Sequence, residues 1–226
     1  MRCENLDVRR PPESHSFDPA ELKPLGRDFF DRDPRQVSRD LLGKVLVRDR
    51  GEHIVAGRIV EVEAYMGTND PAAHAAAGRT LRTEVLFGPP GHAYIYFIYG
   101  NHYCLNVSCL PEGDAGSVLF RALEPIAGLH EMANHRGIPV ADEPDCCSPK
   151  MLRLLASGPG KLAEALGITR ARDNGKDLTD HRSDLWLADD GFRPKRIIRT
   201  TRIGITKAAD RALRYMVANN DFVSRK

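Results

Sequence analysis

His92-Ala93-Tyr94-Ile95-Tyr96-Phe97-Ile98-Tyr99, then Gly100-Asn101, then His102-Tyr103-Cys104-Leu105-Asn106-Val107: two runs rich in aromatic and β-branched residues flank a Gly-Asn pair. Residues of that kind suit a pleated, half-buried surface, and Gly-Asn tolerates the positive φ angles of a tight turn. The stretch is therefore expected to form a β-hairpin, set off by the turn Gly88-Pro89-Pro90-Gly91 before it. Toward the N-terminus, Arg58-Ile59-Val60-Glu61-Val62-Glu63-Ala64-Tyr65 reads as a strand, as do residues 44–47. Residues 67–82 form a long polar, Ala-rich connection, and residues 117–123 a further strand. Helices fit between these runs. Asp33-Pro34 offers an N-cap followed by Pro at the first helical position, Val37, Leu41 and Leu42 give an apolar stripe, and Gly43 ends it. A second helix begins near Gly128 and fades into residues 139–149, a predicted surface loop, and a short helix covers 161–166. The expected architecture is α+β: a single domain with a curved, mostly antiparallel sheet, surrounding helices and a protruding β-hairpin.

Composition bounds this reading. A chain of 226 residues that is 42% apolar can bury a sizeable core. The formal charge of +2 neither demands nor excludes nucleic acid, so its distribution has to carry that argument. Residues 1–25 are rich in Arg, Pro, Ser and Glu without periodic apolar spacing; they are expected to be a disordered extension, leaving 26–226 as the folded domain. Cys3, Cys104, Cys109, Cys146 and Cys147 form no Cys-x-x-Cys pair and no zinc spacing, so reduced thiols in a cytoplasmic protein, without a metal or cofactor, are expected. No apolar run is long enough to cross a bilayer.

Alternation along residues 58–65 puts Ile59, Glu61, Glu63 and Tyr65 on one face. One reading is an edge strand whose acidic face meets water. The other turns a carboxylate into a pocket beside an aromatic ring, where it can act as a general base. Alternation does not choose between Glu61 and Glu63. In the hairpin, Tyr94 and Tyr96 share one face and offer flat surfaces for stacking. Tyr99, beside the turn, would be exposed, either packed on a loop or placed to enter a base step as a wedge. Asn106 and Arg121 are polar side chains in apolar strands; each makes a structural hydrogen bond or ion pair, or serves a site, with Arg121 fixing a carboxylate. Ser157-Gly158-Pro159-Gly160-Lys161 fails the nucleotide-loop pattern, because Leu155 stands at the first Gly position and Leu162 follows the Lys. Lys161 can still hold one backbone phosphate. The basic run Arg193, Lys195, Arg196, Arg199 and Arg202 is either a solvated face or a phosphate-contacting strip.

Taken in order, these segments resemble the alkyladenine (3-methyladenine) DNA glycosylase family. The resemblance runs through residues 58–67, Asp70-Pro71-Ala72-Ala73-His74, Phe87-Gly88-Pro89-Pro90-Gly91, residues 94–100, Tyr103-Cys104-Leu105-Asn106-Val107, Arg121-Ala122-Leu123-Glu124-Pro125, residues 157–162 and Arg202-Ile203-Gly204-Ile205. It implies that Glu63 is the general base that activates a water, with Arg121 and the main chain at Ile203 holding that water. It implies that Tyr65 and Tyr96 sandwich a flipped base, that His74 closes the pocket, that Asn106 excludes guanine and that Tyr99 is the wedge. Lys161, Arg199 and Arg202 then fall to the DNA backbone. The partner so implied is double-stranded DNA containing damaged purines, met by a monomeric enzyme without a cofactor. Asn101, Leu81 and Leu213 depart from the family pattern, away from the expected chemistry.

Two rivals stay in view. A non-catalytic binder of damaged DNA would keep the hairpin and the basic run but have no use for Glu63 with Arg121. A hydrolase of free nucleosides would need neither a wedge nor a basic strip.

Overall fold

The computed structural model describes residues 17–98, 100, 102–139 and 149–224. The strands are β1 (Lys23–Pro24), β2 (Val45–Asp49), β3 (Ile54–Tyr65), β4 (Ala93–Ile98), β5 (His102–Cys109), β6 (Gly116–Ala127), β7 (Leu185–Asp189), β8 (Ile197–Thr200) and β9 (Arg214–Val217). The helices are α1 (Pro34–Leu41), α2 (Leu129–Arg136), α3 (Pro149–Ala156), α4 (Pro159–Ala165) and α5 (Arg170–Asp173). The sheet runs β1-β7-β2-β3-β6-β5-β4, and β9 adds beside β3 and carries β8. Every strand pair among the described residues is antiparallel, as an α+β fold with a hairpin-built sheet requires.

Local signals act where the sequence puts them. Asp33 caps α1 by accepting the Arg35 N–H at 2.8 Å, and Val37, Leu41 and Leu42 are buried beneath that helix. The main core gathers these residues with Ile59, Val62 and Ala64 of β3, Ile95 and Leu105 of the hairpin, Phe120 of β6 and Leu162 of α4. Trp186 nucleates a smaller cluster with Val45, Val47 and Ala56.

Three expectations need correction. Order begins before residue 26: Lys23 and Pro24 pair with Asp189 and Ala188, and Leu25 is buried. Two paired residues are too few to leave a periodic pattern in the sequence. The hairpin register pairs Ile98 with His102, so three residues rather than two stand between the paired positions. Ile59 does not share a face with Glu61. The β3–β6 ladder runs Ile59↔Leu123, Glu61↔Ala122, Val62↔Phe120, which leaves Val60 and Arg121 each as an extra residue. These are two compensating β-bulges. The first reverses parity, so Ile59 packs in the core with Val62 and Ala64 while Glu61 turns away from them. The predicted surface loop lies for the most part in residues 140–148, outside the described residues.

β3 ends at a tight turn that admits only glycine. Gly67 has φ +79°, and a Cβ there would stand 1.5 Å from the Ala115 carbonyl oxygen. Gly67→Ala should therefore destabilise the protein by about 3 kcal/mol, from the left-handed backbone plus the forced separation of two main chains. A thermal melt checks this; an unchanged Tm would contradict the close approach.

Candidate active site

β3 is an inner strand where its carboxylates lie. Glu61 and Glu63 are flanked by β6 on one side and, through the pairs Glu61↔Met216 and Glu63↔Arg214, by β9 on the other. Both are 0% exposed, which removes the reading of an edge strand with a wet acidic face. The bulge at Arg121 aims its guanidinium between them: Nε donates to Glu61 Oε1 at 2.9 Å, and Nη1 lies 3.1 Å from Glu63 Oε1.

The surroundings then separate the two acids. Glu61 Oε1 also accepts from Arg214 Nε at 2.7 Å and from the Ser224 hydroxyl at 3.0 Å, while Oε2 accepts the Ser224 main-chain N–H at 2.6 Å. Burial acts to raise its pKa, but the Ser224 N–H and the two guanidiniums outweigh that and hold Glu61 below the ordinary glutamate value. Glu63 accepts the Ile203 N–H at 2.8 Å on Oε1 and the Tyr65 hydroxyl at 3.0 Å on Oε2. For Glu63 burial prevails over Arg121, the Ile203 N–H and the Tyr65 hydroxyl, so its pKa is raised. One carboxylate is thus locked as a structural anion, and its neighbour has proton affinity to use.

In front of Glu63 opens a cavity of about 570 Å³, within the range of small-ligand sites. Tyr65, His74, Tyr96, Asn106, Arg121, Lys161 and Ile203 all line it, so seven residues singled out from sequence converge there. Glu63 itself has no exposed surface; it lies directly behind Tyr65, Arg121 and Ile203, all of which it contacts. The His74 ring meets Tyr96 edge-on at 4.6 Å and hydrogen-bonds the Tyr94 hydroxyl through Nδ1 at 2.9 Å. Burial, helped by the charge of Arg82, lowers the His74 pKa and favours the neutral ring. Asn106 is buried, its Nδ2 donating to the Tyr94 carbonyl at 3.4 Å. The cavity wall is thus aromatic, with a few fixed polar groups, which suits a flat heterocycle. Among the described residues no cluster of three or more His, Cys, Asp or Glu is placed to hold a metal ion.

The remaining candidates fall elsewhere. Arg202 is not available to a phosphate: its side chain is 0% exposed, and it donates to Asp70 through Nη1 at 2.5 Å and Nη2 at 2.9 Å. Its guanidinium also lies 4.6 Å from the centre of the Tyr65 ring, backing that ring from behind. A buried acid 132 positions away claims this member of the basic run, and nothing local in the sequence announces it. Arg193 pairs with Asp189. Arg199 is exposed and donates through Nε to the Ala212 carbonyl. Tyr99 lies outside the described residues. Sequence reasoning passed over Asp70, Arg214 and Ser224 as functional groups. Asp70 accepts the N–H groups of Met66 and Ala72 besides Arg202, and so fixes the loop that carries His74.

Comparison with known proteins identifies the family. Residues 28–221 match the family model of methylpurine-DNA glycosylase (MPG). A Koribacter versatilis protein named "Putative 3-methyladenine DNA glycosylase" is 62% identical over 207 residues, covering 92% of this chain and 96% of its own. Proteins of the same name from Methanoculleus marisnigri and Alkaliphilus oremlandii are 48% and 44% identical, covering 88% and 89% of this chain and 97% and 99% of their own. The chain belongs to the methylpurine-DNA glycosylase family, a class of DNA repair enzymes whose substrate is DNA.

Proposed function

We propose that this enzyme extrudes alkylated or deaminated purines from duplex DNA, of the class of 3-methyladenine, 7-methylguanine, hypoxanthine and ethenoadenine, and hydrolyses their N-glycosidic bond. The observation that carries the reading is Glu63, buried with a raised pKa behind an aromatic cavity and held by Arg121. A carboxylate has room for about four hydrogen bonds, and among the described residues Oε2 of Glu63 accepts only the Tyr65 hydroxyl. A water on its second lone pair would face the sugar of a nucleotide whose base fills the cavity. The water oxygen bonds to C1′, its proton passes to Glu63, and the bond to the base breaks with its electron pair leaving on the purine nitrogen. The ionised carboxylate also offsets the positive charge that develops on the sugar. Tyr65 and Tyr96 supply the stacking surfaces, and Asn106 crowds the exocyclic amine of guanine. In this reading Tyr99 is the wedge, the backbone contacts fall to Lys161 and Arg199, and the protein acts as a monomer.

Lys161 is the lysine at the cavity, and burial together with Arg136 and Arg153 lowers its pKa. A lysine amine at such a site can attack an abasic sugar as a Schiff-base nucleophile. Here it is assigned to a phosphate, so the product is an intact strand with an abasic site. Duplexes that each hold one hypoxanthine, ethenoadenine or alkylated purine test both statements. Base release with strand breaks appearing only after alkali is expected. Breaks without alkali would move Lys161 into the chemistry, and the absence of any release would favour the non-catalytic binder.

A further inference from the structure

Arg121 serves two carboxylates at once, and something must stop Glu61 from taking it whole. The groups facing Glu61 are Arg121 from β6, Arg214 from β9, Glu63 on its own strand and Ser224. Those facing Glu63 are Arg121, Tyr65, Glu61 and the Ile203 N–H, with Arg202, Tyr96 and Cys104 close enough to act through charge. Of all these, only Ser224 touches Glu61 with both a main-chain N–H and a side-chain hydroxyl, one on each oxygen. The segment that brings it there is pinned on both sides. Asn220 donates to Glu124 at 3.0 Å, Arg153 of α3 donates to the Val223 carbonyl at 3.2 Å, and Val223 is buried. Ser224 also lines the cavity, so the segment reaches the site itself.

We propose that Ser224 is a positioning residue of the reaction: by filling both oxygens of Glu61 it limits that residue's claim on Arg121 and leaves Nη1 of the arginine to Glu63. Without it, Glu61 has two fewer donors and draws the guanidinium toward itself. Glu63 then loses part of the charge that keeps it ionised, and the first proton enters the coupled pair at a higher pH. The inference rests on Glu63 being the general base.

The test is the single-turnover rate of hypoxanthine excision against pH for wild type, Ser224→Thr, Ser224→Ala and Ser224→Pro, with duplex affinity measured alongside. Threonine keeps both donors and should reproduce the wild-type profile. Alanine removes the hydroxyl and should move the acid limb up by about half a pH unit, a rate loss of about threefold on that limb that vanishes on the plateau. Proline removes the N–H as well and should move it further. Duplex affinity should stay within about twofold throughout, which a merely structural defect would not respect. An acid limb unmoved in both Ala and Pro, or a Thr variant displaced as far as Ala, would overturn the proposal. Glu63→Gln run in parallel separates the two claims. If it excises like wild type, the general-base reading has failed. If it is inactive while the Ser224 variants leave the limb in place, only the role of Ser224 has.

Discussion

Glu61→Gln should lose about 3–5 kcal/mol of stability at neutral pH, a fall in Tm of roughly 6–20 °C for a chain of this size. The carboxylate accepts from Arg121, Arg214 and the Ser224 hydroxyl on one oxygen and from the Ser224 N–H on the other. A glutamine offers one acceptor oxygen, and its NH2 group must face a donor whichever way it turns. Two buried guanidiniums lose an anion at the same time. The pH dependence has a definite sign. The folded pKa of Glu61 lies below its ordinary value, so its contribution is present above that value and is lost as pH falls through the depressed one. The gap between wild type and Glu61→Gln should be widest near neutrality and close in acid. Equal melting temperatures at pH 7 would contradict the anchoring role.

Glu63→Gln should do the reverse. Its folded pKa is raised, so the ionised side chain costs stability once pH rises past the ordinary value and through the raised one. The amide fits the same contacts, since its oxygen can accept from Ile203 and Arg121 while its NH2 donates to the Tyr65 hydroxyl, which can reverse. The variant should melt at or above the wild-type temperature at pH 7 and converge with wild type in acid. Its excision of hypoxanthine should fall by roughly 10²–10⁴-fold, the usual contribution of a positioned base. Loss should be smaller for 3-methyladenine, whose positive charge already favours departure. Two neighbouring acids, replaced in the same way, should thus give opposite changes in stability, and only the stabilising replacement should remove the proposed chemistry.

Much of this fold and site is legible in the sequence alone. The hairpin showed in its aromatic and β-branched runs, α1 in Asp33-Pro34 and its stripe, and the carboxylate pair in simple alternation. What stayed hidden has physical causes. A period of two cannot reveal an inserted residue, so the bulges at Val60 and Arg121, which separate Ile59 from the acids and aim the arginine, left no trace. β8 pairs only with β9, and Ile197 and Ile198 stay partly exposed, so it lacks the burial pattern of an inner strand. Arg202 looked like one charge among five in a basic run, because its partner Asp70 is distant in sequence. Alternation did not separate Glu61 from Glu63, and only the family resemblance pointed to Glu63, because Ser224 and Arg214, which hold Glu61, are late residues that no local pattern ties to β3.

In the proposed mechanism Glu63 performs the chemistry without being needed to bind the substrate. Its most direct test is single-turnover excision from a hypoxanthine duplex by wild type and Glu63→Gln at saturating enzyme, with equilibrium binding of the same duplex measured for both. Matched affinity is expected, with base release at least about 10²-fold slower in the variant. Release by Glu63→Gln at the wild-type rate would contradict it.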